Sequence, residues 1–176
     1  IMKLNEKGEV IGEFETFVNP EKPIPQRVVE VTHITDDMVK DAETIDKVFP
    51  KMLEFIGDSV VVTHNTDFDI GFLKYNAKQL GYTFENTYLD TLRLAKDLFP
   101  DYKKYKLGVI AENLGIEVLV AHRALDDVDT TVKVFRVMLD MLDKKGAMKI
   151  EDIDKLAGEN VNYKKLKSFH AIILAT

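Results

Sequence analysis

The chain has 176 residues, of which 45% are hydrophobic and 31% charged, so it has enough apolar material for the core of one globular domain. Its formal net charge of −6 argues against a protein that coats nucleic acid non-specifically, and its lack of cysteine excludes disulfides, thiolate catalysis and cysteine-ligated zinc sites. No apolar run approaches the roughly 18–20 residues of a membrane span and the start has no signal-peptide pattern, so a cytoplasmic protein without membrane contact is expected.

The first part of the chain predicts strands, a loop and helices, in that order. Residues 1–20 predict two short strands around a turn at NEKG, and NPEKPIP predicts a loop because it holds three of the five prolines. Residues 32–58 predict a short helix and then a longer one, with Thr35 as an N-cap and Gly57 as a C-terminal stop.

Strands and helices then alternate. SVVVTHN predicts a buried strand, FDIGFLKYNAKQLG a helix that ends at Gly81, and NTYLDT a strand that leads into the helix TLRLAKDLF. The basic loop PDYKKYK follows, then the short helix LGVIAENLG and a long helix from about Ala124 to Lys144. This order predicts an α/β domain with a mixed sheet.

The tail after Gly146 differs in character. It predicts a short helix, a polar stretch and a closing strand, HAIILAT. A chain that begins with IMKL and ends within a strand is expected to be an excerpt of a longer protein.

Two hexamers of the form His-x4-Asp, HNTDFD and HRALDD, each open a predicted helix. On the long helix the spacing of the apolar residues places Asp127 at the edge of the apolar stripe, and Asp126 and Thr130 on the opposite, wet side. A carboxylate at the edge of a buried face is costly unless it is paired or binds a metal ion. Asp127 is therefore the candidate site residue. His122 precedes it by five residues, which is a helical rotation of about 140°, so the two cannot share one face of the helix and His122 is expected in the loop before it.

The first hexamer gives the same result for Asp69. It lies nearer the apolar stripe of its helix than Asp67 does, and it follows the carboxyl end of a buried strand, where ligands bind in open α/β sheets. An isolated aspartate in a first helical turn is usually a surface residue favoured by the helix dipole, so the pair of hexamers is what indicates a site. His64 is expected to hydrogen-bond the strand-to-helix turn rather than bind metal, and Phe68 is expected to fill the core.

HNTDFDIGFL resembles the second motif of DnaQ-like 3′–5′ exonucleases, and HRALDDVDTTVKVF resembles the third motif of their histidine-bearing DEDDh subgroup. The resemblance covers residues 1 to about 145 and is closest to the proofreading exonucleases of PolC-type bacterial DNA polymerase III. YKKLKSFHAIILAT resembles the point where a PHP domain resumes in those polymerases. The resemblance thus implies an exonuclease domain at residues 1–145, and a linker with the start of a PHP-like segment at residues 146–176.

The resemblance implies a ribonuclease H-like mixed sheet flanked by helices, from which the first strand, with its Asp-x-Glu pair, is apparently missing. In the family, four carboxylates hold two Mg²⁺ or Mn²⁺ ions and a histidine activates the attacking water. Carried over by motif, Asp69 and Asp127 are metal ligands and His122 is the general base, roles that suit hard cations and a group of pKa about 6.5. VTHITDD matches a segment that lines the pocket of the terminal nucleotide, so Thr32 and His33 are candidate substrate contacts. His64, in the second motif, is a further candidate. Since His33 stands where glycine is usual, a left-handed backbone is possible there.

The function implied is a metal-dependent exonuclease that removes nucleotides from single-stranded DNA 3′ ends, as the proofreading module of a replicative polymerase, with the rest of that polypeptide and the replisome as partners. One alternative is an RNA- or oligonucleotide-trimming relative. Another is a non-catalytic scaffold that lacks the first motif. Residues 1–176 alone are expected to be inactive without the Asp-x-Glu pair.

Overall fold

The computed structural model of the protein describes residues 1–5, 7–118, 124–144 and 171–173. The short helix predicted after Gly146 and most of the predicted segment 146–176 lie outside this part of the chain. No helix in the described ranges is long and apolar enough to cross a membrane. The elements are β1 Met2–Leu4, β2 Val10–Glu13, α1 Gln26–Thr32, α2 Asp36–Val39, α3 Ile45–Ile56, β3 Val60–Thr63, α4 Thr66–Leu80, β4 Tyr88–Asp90, α5 Thr91–Leu98, α6 Leu107–Asn113, α7 Ala124–Lys144 and β5 Ala171–Ile173.

The strands form one mixed sheet in the order β2-β1-β5-β3-β4. Strand β1 is antiparallel to both of its neighbours, β2 and β5. Strand β3 is parallel to β4 and to β5. The predicted mixed α/β sheet is therefore confirmed, and the closing strand predicted in HAIILAT is inserted between β1 and β3.

Helices cover both faces of the sheet. Val60 and Val62 of β3 belong to a core cluster with residues of α5, α6 and α7. Val61 points to the other face and packs with residues of α3 and α4. Because β3 is apolar towards both faces, it reads as an unbroken run of valines rather than an alternating pattern.

Within the described residues, the predicted elements agree with the structure except at α1. This helix follows the proline loop, begins after Pro25 (φ −58°) and ends at His33, which is left-handed at φ 58° and ψ 17°. None of its residues is buried, so no apolar stripe marks it in the sequence. The proline and the left-handed cap bound it instead. The left-handed backbone considered for His33 is confirmed.

The buried arc of α7 is wider than the sequence predicts. Thr130, expected on the wet side with Asp126, is 2% exposed, and its hydroxyl donates to the carbonyl oxygen of Asp126 at 2.7 Å. Asp126 and Asp127 are both half-buried. The predicted wet-side position is therefore wrong for Thr130, and Asp126 is half-buried rather than exposed, because α7 packs between the sheet and the neighbouring helices α5 and α6 and so buries more than one stripe.

Candidate active site at the carboxyl edge of the sheet

The carboxyl ends of β3 and β4 lie side by side, since the two strands are parallel and Thr63 pairs with Asp90. Helix α4 begins at Thr66, directly after β3. In its first turn Asp69 is buried, with 6% of its surface exposed, whereas Asp67 is exposed. The prediction that Asp69 rather than Asp67 faces inward is confirmed, and a carboxylate lies where α/β sheets bind ligands.

The side chain of Asp90 fixes the turn that presents Asp69. Its Oδ1 accepts the backbone N–H of Asn65 at 3.0 Å and that of Leu92 at 2.8 Å, and its Oδ2 lies 3.4 Å from the backbone nitrogen of Thr66. Asn65 has a left-handed backbone, with φ 75° and ψ 67°, a conformation that costs energy in a residue other than glycine. One carboxylate therefore caps α5 and holds the strained start of α4. Asp90 is not among the site residues predicted from the sequence, although its position as the last residue of a strand, just before a helix, is a signal of such a role.

His64 is held within the fold through both ring nitrogens. Its Nε2 lies 2.8 Å from the carbonyl oxygen of Tyr105, and its Nδ1 lies 2.9 Å from the hydroxyl oxygen of Thr91. A carbonyl can only accept, so Nε2 donates to Tyr105. The Thr91 hydroxyl lies within hydrogen-bond distance of both Nδ1 and the Thr63 carbonyl oxygen, at 2.9 Å and 3.1 Å, and can donate its single proton to only one of them. Burial lowers the pKa of His64 below its ordinary value, against the smaller opposing effects of the Tyr105 carbonyl and the Asp90 charge. These contacts are those of a residue that ties β3 to α5 and to the loop before α6.

Two buried hydroxyls at the same junction have no hydrogen-bond partner, the Oγ1 atoms of Thr63 and Thr66. Thr63 is fully buried and Thr66 is 4% exposed. An unsatisfied buried polar atom costs about 1–3 kcal/mol, and such atoms are rare in folded proteins. The junction beside Asp69 thus retains hydrogen-bonding capacity that a polar ligand can use.

Helix α7, which carries Asp127, packs on the face of the sheet opposite α4. The guanidinium Nε of Arg136 donates to the carbonyl oxygen of Gly8 at 2.6 Å, in the turn between β1 and β2. The antiparallel pairing of β1 with β5 places this turn beside the amino end of β3. Asp127 precedes Arg136 by about 13 Å along the helix axis. The first turn of α7 therefore lies away from the turn between β1 and β2, on the opposite face of the sheet from α4, and the approach of Asp127 to Asp69 stays a prediction.

The remaining predicted residues lie in three different surroundings. His122, the predicted general base, lies outside the described residues. Thr32 is half-buried, and its hydroxyl donates to the carbonyl oxygen of Val28 at 2.9 Å; His33 is exposed. Thr32 also lines a mainly apolar cavity of about 360 Å³ between α1 and the proline loop, a size within the range of small-molecule sites.

The predicted position of Phe68 is wrong. It was expected to fill the core, but 69% of its surface is exposed. The buried side of α4 is formed instead by Ile70, Leu73 and Ala77. Phe68 precedes Asp69 by one residue, so the rotation that turns the carboxylate inward directs the ring outward.

The chemistry of the described residues meets the needs of a divalent cation only in part. Asp69 and Asp127 supply the carboxylate oxygens that hard cations prefer. Across the described ranges, however, there is no group of three or more histidine, cysteine, aspartate or glutamate residues that could hold a metal ion. These residues alone do not form a complete metal site.

Comparison with known proteins agrees with this architecture. The family model RNase_T, described as exonuclease, matches residues 1–135. A PolC-type DNA polymerase III of Clostridium perfringens is 43% identical over 171 residues, which are 96% of this chain and 12% of that protein. The corresponding protein of Caldanaerobacter subterraneus subsp. tengcongensis is also 43% identical, over 167 residues, which are 94% of this chain and 12% of that protein. The chain thus spans about an eighth of the length of these relatives.

A solved structure shares the fold. Exonuclease X, solved in complex with 5′-overhanging duplex DNA, superimposes with a TM-score of 0.63 at 24% identity, over 86% of this chain and 84% of that one. This likeness supports the fold alone, a ribonuclease H-like one. With the family match over residues 1–135 and relatives at 43% identity, the chain belongs to the RNase_T exonuclease family and is homologous to the exonuclease region of PolC-type DNA polymerase III.

Proposed function

We propose that this chain is the catalytic part of a 3′–5′ exonuclease that removes nucleotides from single-stranded DNA ends, as the proofreading module of a replicative DNA polymerase. Its proposed partners are the rest of the polymerase polypeptide and the replisome, in the cytoplasm. Residues 1–145 are the proposed exonuclease domain, and residues 146–176 the linker and the start of a PHP-like segment.

The observation that carries this proposal is the buried Asp69 carboxylate at the carboxyl end of β3. It lies in the first turn of α4, beside two unpartnered hydroxyls and a strained turn held by Asp90. Folding stability alone does not favour the two buried hydroxyls, because an unsatisfied buried polar group costs free energy. Conformational strain and unsatisfied polar groups of this kind cluster at functional sites.

The family generally uses divalent metal ions. We propose that the site takes two Mg²⁺ or Mn²⁺ ions, with Asp69 and Asp127 among their ligands and further carboxylates from outside the described residues. When bound, such ions compensate the negative charge of the phosphodiester. His122 is the proposed general base, which takes a proton from the attacking water. Residues 1–176 alone should bind metal weakly and cleave little, because the described residues contain no cluster of three ligands.

The apolar cavity beside Thr32 is the proposed place for the base of the terminal nucleotide, with Thr32 and His33 as contacts. His64 contributes to the site by fixing the turn before α4, through Thr91 and Tyr105. An enzyme that trims RNA or other oligonucleotides is the second candidate, since no described contact distinguishes the two sugars.

The test uses the polypeptide that carries residues 1–176 and a single-stranded DNA labelled at its 5′ end. With Mg²⁺ or Mn²⁺, we expect a ladder of products that shortens from the 3′ end, and with EDTA no cleavage. Asp69→Asn should abolish cleavage, because a neutral amide replaces a buried anionic group. Asp67→Asn is the matched control, since Asp67 is an exposed aspartate in the same turn, and it should keep most of the activity.

Three results would contradict the proposal. Cleavage that persists in EDTA would exclude a metal-dependent reaction. Equal losses in the Asp69 and Asp67 variants would remove Asp69 from the site. A polypeptide that binds DNA but does not cleave it under any metal condition would support a non-catalytic scaffold.

A further inference from the structure

Three aromatic side chains form an exposed stripe on α4. Phe68, Phe72 and Tyr75 are 69%, 40% and 64% exposed. At about 100° per residue, their spacing of four and three residues places them within about 60° of one another around the helix. The opposite side of α4 is buried through Ile70 and Leu73. The aromatic stripe, defined here as these three residues, is therefore a coherent solvent-facing surface with no role in the core.

The stripe begins at the candidate active site. Phe68 is adjacent to the buried Asp69, and Tyr75 lies about 10 Å farther along the helix axis. Since α4 starts at the carboxyl edge of β3, the stripe leads away from that edge over the outer surface. A linear ligand whose end lies at Asp69 can follow it.

Helix α4 has two carboxylates, Asp67 and Asp69, both in its first turn, and beyond that turn its charges favour a ligand that carries phosphates. From Ile70 to Gly81 the chain has two lysines, Lys74 and Lys78, and no carboxylate, although its overall net charge is −6. Both lysines are exposed. Lys78 lies one turn beyond Tyr75 on the neighbouring face, within reach of a backbone whose bases contact the stripe.

The size and composition of the stripe argue against a protein partner. At about 200 Å² per ring, the exposed parts of the three side chains amount to about 350 Å². A specific protein interface buries about 800 Å² on each partner. The other exposed residues beside the stripe include Gly71, Lys74 and Lys78, and the two lysines add charge rather than apolar area to this surface.

We propose that Phe72 and Tyr75 stack against bases of single-stranded DNA upstream of the nucleotide that is removed. Phe72 and Tyr75 are about 4.5 Å apart along the axis, more than the spacing of about 3.4 Å between stacked bases, so each ring can contact a different base. Such stacking contributes about 1–3 kcal/mol per base and does not depend on sequence, as suits an enzyme that must accept any 3′ end. The proposal rests on the proposed function and extends it to the strand behind the terminal nucleotide.

The chain contains no tryptophan, so Tyr75→Trp introduces a unique fluorescent reporter into the stripe. The reporter is titrated, in low salt with EDTA to prevent cleavage, with an oligothymidylate of about 12 nucleotides, within the usual range of single-strand sites. Stacking of a base on the indole should quench its emission. The matched control is Tyr82→Trp, because Tyr82 is 43% exposed at the end of the same helix, but its ring lies 6.2 Å from that of Phe49 and outside the stripe.

Alanine variants measure the contribution to affinity. Phe72→Ala and Tyr75→Ala should each weaken binding of a fluorescent oligothymidylate by about 5-fold to about 100-fold in an anisotropy titration. Tyr82→Ala should leave it unchanged. The circular dichroism spectra of Phe72→Ala and Tyr75→Ala should match that of the wild type, since neither Phe72 nor Tyr75 belongs to the core clusters.

Equal quenching at positions 75 and 82, or unchanged affinity in both stripe variants, would overturn the proposal. Wild-type protein that does not bind the oligonucleotide in low salt would also overturn it. Variants that alter self-association in sedimentation but not DNA affinity would assign the stripe to a protein interface instead. The exonuclease proposal is tested separately by the Asp69→Asn cleavage assay, so a failed stripe and a failed active-site assignment are distinguishable.

Discussion

Replacement of Asp90 by alanine should destabilise the fold through the turn that presents Asp69. The substitution removes the acceptor of the Leu92 N–H, a helix N-cap worth about 1 kcal/mol. It also removes the acceptor of the Asn65 N–H at 3.0 Å and the longer contact to Thr66 at 3.4 Å, which together should contribute about 1–2 kcal/mol. The expected loss is about 2–3 kcal/mol, out of about 5–15 kcal/mol for a typical domain.

Urea unfolding followed by circular dichroism measures this loss. With a slope of about 2 kcal/mol per molar urea, the midpoint should fall by about 1–1.5 M and the slope should not change. Asp97→Ala is the control, because Asp97 is an exposed aspartate on the same helix, α5. Asp90→Asn should lose less than Asp90→Ala, since one oxygen can still cap α5. If Asp90→Ala were no less stable than Asp97→Ala, the view that this carboxylate holds the junction would be refuted.

Three further predictions concern the other site residues. In the polypeptide that carries this chain, Asp127→Asn should abolish cleavage, whereas Asp126→Asn should leave most of it. Both aspartates are half-buried, so equal losses of activity would mean that their positions on the helix do not separate their roles. His122→Ala should keep DNA binding but lower single-turnover cleavage by about 10²–10⁴-fold, and recovery at high Mn²⁺ would make His122 a metal ligand instead of the base. Because the pKa of His64 is lowered by burial, the unfolded chain takes up a proton before the folded one as pH falls below about 6.5. In urea unfolding, the contribution of His64 to the free energy of unfolding should therefore decrease below that pH and stay constant above it. His64→Gln should remove this pH-dependent contribution. An unchanged pH dependence in the variant would contradict the prediction.

Local pattern was sufficient to predict most of the elements. The valine run before His64 predicts a strand buried on both faces, and β3 is one. Gly57 and Gly81 end α3 and α4 as predicted. Both have a positive φ, 53° at Gly57 and 76° at Gly81, and Gly81 is in the left-handed region. The inward position of Asp69 also follows from the sequence, because one helix against one sheet face has a single buried stripe and the period of 3.6 residues assigns each side chain to it.

Only the tertiary structure decided what depends on contacts between distant segments. Helix α7 packs against more than one neighbour, so Thr130 is buried and Asp126 half-buried although the periodicity places both on the wet side. Asp90 acts on Asn65, 25 residues away, through the parallel pairing of β3 with β4. Phe68 is exposed because the rotation that buries Asp69 directs its ring outward. Periodicity describes one helix against one surface, whereas neighbours on several sides and pairing between strands are set by the whole fold.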